Sequence, residues 1–223
     1  MKDSHTHLQK YPPDILPDVL RRARAVGVTE FGCHATNPND WMRVAEIART
    51  EQGVEAAFGV HPWFAQNDSD GAVCAALREI LLENPAAAIG EIGLDSTRSE
   101  QRLQAEIFTA QLRLARELGR GVILHCVRAA GEMLALLKKH APNLPFALLH
   151  SPNISEHEWR GFERLGVSVS IGAGVLLPNT VKLRELARIV PESRLFYETD
   201  SPENRNAPEY LPRIVEEVRK IRN

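Results

Sequence analysis

Short apolar runs alternate with amphipathic stretches along the whole chain, and no low-complexity segment interrupts them. A polar opening run, Lys2 to His7, reads as a first strand. Helical periodicity then covers Ile15 to Val26 and stops at Gly27. Val28 to Cys33 is a second strand, and Asn37-Pro38 caps a helix running to about Gln52, where Gly53 ends it. Val54 to Val60 is a third strand leading into His61-Pro62-Trp63. A helix from about Asp70 to Glu83 precedes a fourth strand, Ala86 to Ile89, which runs out through Gly90-Glu91-Ile92-Gly93-Leu94-Asp95. The longest helix, about Ser99 to Leu118, places Leu103, Ile107, Ala110, Leu114 and Leu118 on one face. Gly121 to Leu124 is strand five, running into His125 and followed by a helix from Ala129 to His140. Phe146 to Leu149 is strand six, running into His150; Ser155 caps the next helix to Leu165, with Gly166 as its stop. Val167 to Ile171 is strand seven, Asn179 starts a helix to Val190, and Leu195 to Thr199 is strand eight, ending at Asp200. A last helix covers about Pro208 to Ile221.

The strand ends fall near positions 7, 34, 61, 91, 125, 150, 172 and 200, on average about 28 residues apart, a step that fits repeated βα units. Such units imply a parallel sheet with right-handed crossovers. Eight of them, with no residues left over for a second domain, predict an α/β fold. It is a (β/α)8 TIM barrel spanning 1–223 as one domain, slightly shortened at its C-terminal end. A doubly wound open sheet is the competing topology, and it lacks a Gly-rich phosphate fingerprint after its first strand.

Composition narrows the function classes. Hydrophobic residues make up 43% and charged residues 25% of 223, ordinary values for a globular protein. The net charge of −2 supplies no general basic field, so any contact with nucleic acid must be local. Three widely spaced cysteines, Cys33, Cys74 and Cys126, suit reduced thiols. No apolar stretch reaches the length of a membrane span, and candidate ligands beginning at position 5 leave no room for a cleaved signal. A cytoplasmic protein with no membrane partner is expected.

The chemistry lies at the strand ends, which in this fold form the catalytic face. On a strand, alternate side chains share a face, so His5 and His7 lie about 7 Å apart and can converge on one ion, with Asp3 deeper on the same face. His61, Glu91, His125, His150 and Asp200 end other strands, and His34 is a further candidate; His140 and His157 fall on helices and read as surface residues. Four imidazoles and two carboxylates suit zinc, manganese or iron and exceed what one ion needs, so two divalent ions bridged by a carboxylate is the economical arrangement.

These residues also carry a family likeness. Asp3-Ser-His5-Thr-His7, Gly59-Val-His61-Pro62, Gly90-Glu91-Ile-Gly93-Leu-Asp95, Ile123-Leu-His125, Leu149-His150-Ser151 and Glu198-Thr199-Asp200-Ser-Pro202 occur in order. With support from Gln104–Ala115 and Arg205–Tyr210, the chain resembles the TatD-type metal-dependent deoxyribonucleases of the amidohydrolase-like barrels over nearly its whole length. The resemblance implies that His5, His7 and Asp200 hold one ion, that Glu91 bridges two, and that His125 and His150 complete the second. It also implies that His61 and Arg128 face a substrate phosphate and that Glu198 supports the site beside Asp200. The implied reaction is exonuclease-type phosphodiester hydrolysis by a metal-activated bridging water, with Asp200 orienting that water and accepting its proton. Single-stranded DNA is the expected substrate and a monomer the expected state. A basic rim of Arg98, Arg128 and Arg205, with Trp63 or Phe64 stacking on bases, belongs to the same reading. The chain departs from the family pattern at Ser151–Ser155, at the three-residue step from His125 to Arg128, and in the short passage from Asp200 to Arg205. Two alternatives use the same ligands. One is a hydrolase of small amides, esters or lactones, and the other is a structural metal site, for which seven site residues are more than four closed ligands require.

Overall fold

A computed structural model describes residues 1–65, 71–203 and 206–223. Asp70, the expected start of the third helix, and Arg205 lie outside the described residues.

Strands and helices alternate in the order β1 (Lys2–Thr6), α1 (Leu16–Ala25), β2 (Glu30–His34), α2 (Pro38–Thr50), β3 (Val54–Phe58), α3 (Ala72–Glu83), β4 (Ala88–Asp95), α4 (Gln101–Leu118), β5 (Val122–Val127), α5 (Ala130–His140), β6 (Ala147–His150), α6 (Glu156–Arg164), β7 (Ser168–Ile171), α7 (Val181–Ile189), β8 (Leu195–Tyr197) and α8 (Leu211–Arg222). The strands pair in parallel in that same order. A bridge between Thr6 and Ser201, with the His7 amide donating to the Ser201 carbonyl at 2.7 Å, brings the two edges together into a barrel. The expected TIM barrel is the fold observed.

Local chemistry accounts for the helix starts. Asn37 and Ser155 each close a capping box, with Asp40 and Glu158 as reciprocal partners, so the first amides of α2 and α6 are satisfied. Where boundaries differ from expectation, pairing explains the shift. β4 runs on to Asp95 because Ile92 to Asp95 pair with Leu124 to Val127 of β5. β8 stops at Tyr197, and the Thr199 amide and hydroxyl go to the Asp3 carboxylate at 2.9 and 2.6 Å. α8 begins at Leu211 because Pro208–Tyr210 forms a 3₁₀ turn ahead of it.

Two apolar regions hold the layers together. The larger lies between barrel and helices, where Phe31, Phe58, Ile89 and Leu124 meet Leu20, Leu77, Phe108, Trp159 and Phe162, all fully buried. Burial of apolar area on this scale is the main stabilising term for the fold. The smaller lies inside the barrel and consists of Ala57, Ile123 and Leu148, with Ala88 and Phe196 against them.

Candidate metal centre

The ladder bends where ligand candidates leave it. Pairing between β1 and β2 loses register between Asp3 and Thr6, around His5, and pairing between β4 and β5 does so between Ile89 and Ile92, around Glu91. Such irregularities re-aim side chains at the rims of barrels. Gly93 completes the arrangement: its φ is +154°, and a Cβ there would stand 1.9 Å from the His125 carbonyl oxygen. Only glycine lets β4 pass this close to the backbone of His125.

Six expected ligands converge. His5 Nε2 lies 3.3 Å from Glu91 Oε2 and 3.8 Å from Asp200 Oδ1. His7 Nε2 is 3.5 Å from each of the same two oxygens. Four donors around one tetrahedral ion at about 2.1 Å stand about 3.4 Å from one another, so this spacing is that of a coordination shell. Across Glu91, Oε1 lies 2.9 Å from His125 Nδ1 and 2.8 Å from His150 Nε2, and those two nitrogens are 3.2 Å apart. Glu91 Oε2 therefore faces His5 and His7, and Oε1 faces His125 and His150, with His61 Nε2 farther off at 3.5 Å.

Donor chemistry supports a cation here. His5 Nε2, which faces Glu91, is buried with no hydrogen-bond partner among the described residues, and an unpartnered buried polar atom is costly unless something binds it. On His7 and His150 the ring nitrogen that faces away from the centre is committed. His7 Nδ1 bonds the His34 carbonyl at 2.8 Å, and His150 Nδ1 bonds Glu198 Oε1 at 3.2 Å. Each bond leaves Nε2 turned inward as a lone pair, the usual support of a metal-bound histidine.

The field of the cluster agrees. Burial works to raise Glu91, but His150, His61 and His5 around it outweigh burial and hold its carboxyl well below the usual range. Burial works to lower His150, yet Glu91 and Glu198 carry it well above the ordinary value. His7 is likewise raised by Asp200 and Glu91 against burial. Two imidazoles thus draw positive charge into a buried pocket, and the carboxylates that hold a proton there hold a cation by the same attraction. Burial, helped by the neighbouring imidazoles, pushes His5 and His34 well below the normal range and lowers His61 as well.

His61 sits apart in chemistry. Its Nδ1 accepts from the Trp63 amide at 3.2 Å, so the neutral ring carries its proton on Nε2, which faces Glu91 Oε1 at 3.5 Å. A protonated Nε2 donates rather than coordinates, which suits a contact to an anionic oxygen. Glu198 is fully buried beneath the centre, bonded to His150 and to the Ser170 hydroxyl, so it positions a ligand rather than touching substrate. Asp3 also acts from below, through Thr199 and not through the imidazoles, and burial pushes its carboxyl up to about 8.

A cleft of about 280 Å³ opens over the centre, lined among the described residues by His7, His61, Trp63, Glu91, His125 and Asp200, together with Lys10, Thr36, Phe64, His150 and Glu203. Arg128 is not among these; it is exposed, with φ of +53°, just past the end of β5. Arg98 lies over the Trp63 ring at 4.2 Å, and the Trp63 indole donates to Asp95 Oδ2 at 2.6 Å. Sequence reading passed over Lys10, Glu203 and the buried Asp95 as site residues. Asp95 closes a quoted motif and Lys10 follows His7 by three residues, but the 2.6 Å ion pair from Lys10 to Glu203 joins opposite ends of the chain. His157 is exposed and His140 partly so, as expected of helix residues.

A family model described as TatD related DNase matches residues 2–223. Among curated proteins, a 3'-5' ssDNA/RNA exonuclease TatD from Erwinia billingiae is 34% identical over 220 residues, covering 92% of this chain and 84% of that protein. The protein of the same name from Klebsiella pneumoniae is 36% identical over 216 residues, covering 90% and 82%. The solved structure of YJJV, a TatD homologue from Escherichia coli K12, superposes with a TM-score of 0.91 at 28% identity, covering 99% of this chain and 90% of that one.

Proposed function

From the premise that the chain belongs to the TatD related DNase family, we propose that it is a divalent-metal-dependent phosphodiesterase that removes nucleotides from the ends of single-stranded nucleic acid. The observation that carries this reading is the spacing of His5, His7, Glu91 and Asp200 on one side of the cleft and Glu91, His125 and His150 on the other. His5, His7 and Asp200 would hold one ion, His125 and His150 a second, and Glu91 one oxygen for each. Divalent ions bound there lower the pKa of a water and neutralise phosphate charge.

The chain's own residues do the rest. His61 Nε2–H donates to a non-bridging phosphate oxygen, and Lys10, already at the rim, adds positive charge beside it. Asp200 orients the attacking water and takes its proton as the oxygen–phosphorus bond forms and the ester bond to the leaving oxygen breaks. Arg128, exposed beyond β5, receives the strand outside the cleft, and the Arg98–Trp63 pair receives it at the rim, where the indole offers a stacking surface. The cleft volume sits just below the usual range of small-ligand sites, which suits a single terminal nucleotide better than the interior of a duplex. The 3' to 5' polarity in the names of the relatives is the expected direction.

The test is direct. Protein stripped of metal and reloaded with Mg²⁺, Mn²⁺ or Zn²⁺ is offered labelled single-stranded DNA and RNA beside ester, lactone and dipeptide panels. Progressive shortening of the strands is expected with at least one ion. Hydrolysis of an ester or amide with no cutting of nucleic acid in any form overturns the nuclease reading.

A further inference from the structure

The interior of a (β/α)8 barrel is ordinarily filled by layers of bulky side chains. Here one wall of the axis is built from small residues, Gly32, Ala57 and Ala88, facing Ile123, Leu148 and Phe196. The result is a cavity of about 380 Å³ that opens on the N-terminal face of the barrel, between the Lys2–Glu55 ion pair and Arg120. Its other end reaches His34, the last residue of β2.

Residue 34 serves both ligands of β1. Its carbonyl takes His7 Nδ1, and its ring Nδ1 stands 2.9 Å from His5 Nδ1. Two Nδ1 atoms at this distance share one proton, and the ligand role of His5 decides which ring owns it. If Nε2 of His5 binds an ion, its proton must sit on Nδ1, which then donates to His34 Nδ1. His34 is thereby left with its proton on Nε2. Among the described residues that nitrogen makes no hydrogen bond, and it lies over Gly32 beside the Ser4 carbonyl: a Cβ at 32 would approach the nitrogen to 2.7 Å and the Ser4 oxygen to 2.6 Å. Glycine at 32 keeps the path from the cavity to this N–H open. The cavity is polar at its mouth, where Lys2, Glu55 and Arg120 stand, and its inner end carries this donor beside the Ser4 carbonyl, one hydrogen bond from a metal ligand.

We propose that this cavity is a binding site for a small, neutral, one- or two-ring aromatic molecule bearing a hydrogen-bond acceptor. The acceptor takes the His34 Nε2 proton, and His34, as a positioning residue for His5, passes the effect to the metal centre on the opposite face. A neutral occupant fits the inner part, where Ala57, Ala88, Ile123, Leu148 and Phe196 form apolar walls that penalise a buried charge. The volume is that of a small-ligand pocket rather than of a peptide groove. Polarising His34 makes its Nδ1 a stronger acceptor and His5 a more basic ligand, so occupancy tightens metal binding, and metal binding tightens the occupant by the same factor. This inference rests on the metal-site reading above, and the experiment separates the two.

Benzamide serves as the probe, and toluene as a probe of similar shape without an acceptor. Imidazole ¹⁵N NMR of the whole protein is expected to show His34 protonated on Nε2 and His5 on Nδ1. Benzamide, and not toluene, shifts the His34 Nε2 signal and lowers the Mn²⁺ dissociation constant by about five-fold or more. His34→Leu weakens Mn²⁺ binding about 10–100-fold. His34→Gln, whose amide oxygen accepts from His5, restores the affinity without restoring the response to benzamide. The reverse tautomers, no shift with benzamide, or an equal shift with toluene overturns the proposal, and this readout on the wild-type chain does not depend on how the variants fold. Tight Mn²⁺ binding with no benzamide response defeats the cavity site while leaving the metal reading intact. A benzamide shift in a protein that binds no Mn²⁺ defeats the relay and the metal reading together.

Discussion

The two ends of the barrel are made by the same eight strands and could hardly differ more. At the C-terminal end, five histidines and two carboxylates crowd around Glu91, nearly all of them buried. Toward the N-terminal end, the interior holds alanine, isoleucine, leucine and phenylalanine around open space. Strand geometry is common to both ends, so the contrast comes from which side chains each strand presents at each level. The difference teaches that the polar end is arranged for a charge it does not itself contain. Carboxylates hold imidazoles, imidazoles hold carboxylates, and among the described residues His5 Nε2 is still left without a partner. The apolar layer between barrel and helices carries stability for both ends, which lets the ligand end depart from ordinary packing.

That division can be broken experimentally, and the largest effect is expected at the ligand end. His125→Ala and Asp200→Ala should each cut metal-dependent hydrolysis by about 10²–10³-fold, the range lost when an electrostatic contact to the reacting group is removed. Activity is read on labelled single-stranded DNA and folding by circular dichroism. Retained activity in both variants would sink the shared metal mechanism. Phe162→Ala, in the layer between barrel and helices, should instead cost about 3–5 kcal/mol of stability, as large core truncations do. Urea unfolding measures it, and metal affinity of the folded protein should stay near that of the parent. A large loss of affinity there would show that the two regions are not separable.

Smaller effects sharpen the picture at the rim. Trp63 is about half exposed, at 52%, and if it stacks on a base, Trp63→Ala should lose about 1–3 kcal/mol of strand binding. The loss is expected in KM for nucleic acid, with hydrolysis of a small phosphodiester unchanged; equal losses on both substrates would assign Trp63 to holding Asp95 instead. Smallest of all, Ser155→Ala removes the cap of α6 directly after the His150 strand and should cost about 1 kcal/mol in urea unfolding. If hydrolysis falls as well, the cap also sets the position of His150.

Much of this architecture was legible in the chain itself, for physical reasons. Each βα unit writes its own hydrophobic period, and capping residues such as Asn37 and Ser155 mark helix starts through local hydrogen bonds. The six ligand candidates were legible because polar residues that end apolar runs in this fold face one mouth. What could not be read depends on closure of the barrel. Lys10 reaches Glu203 across 193 positions, and Asp3 meets Thr199 across 196. No local pattern announces either contact. His34 was recognisable as a strand-end histidine, but its bond to His5 follows from the register between β1 and β2, which breaks just there. Arg128 shows the opposite case. The family resemblance implies that it faces a phosphate, while it is exposed, with φ of +53°, and does not line the cleft.

The central claim is that the C-terminal end of the barrel holds divalent metal between these particular side chains. Anomalous X-ray scattering from Mn²⁺-soaked crystals tests it most directly. The account predicts two peaks flanking Glu91, one beside His5, His7 and Asp200 and the other beside His125 and His150. No peak in the cleft, or manganese bound only away from these residues, would contradict it.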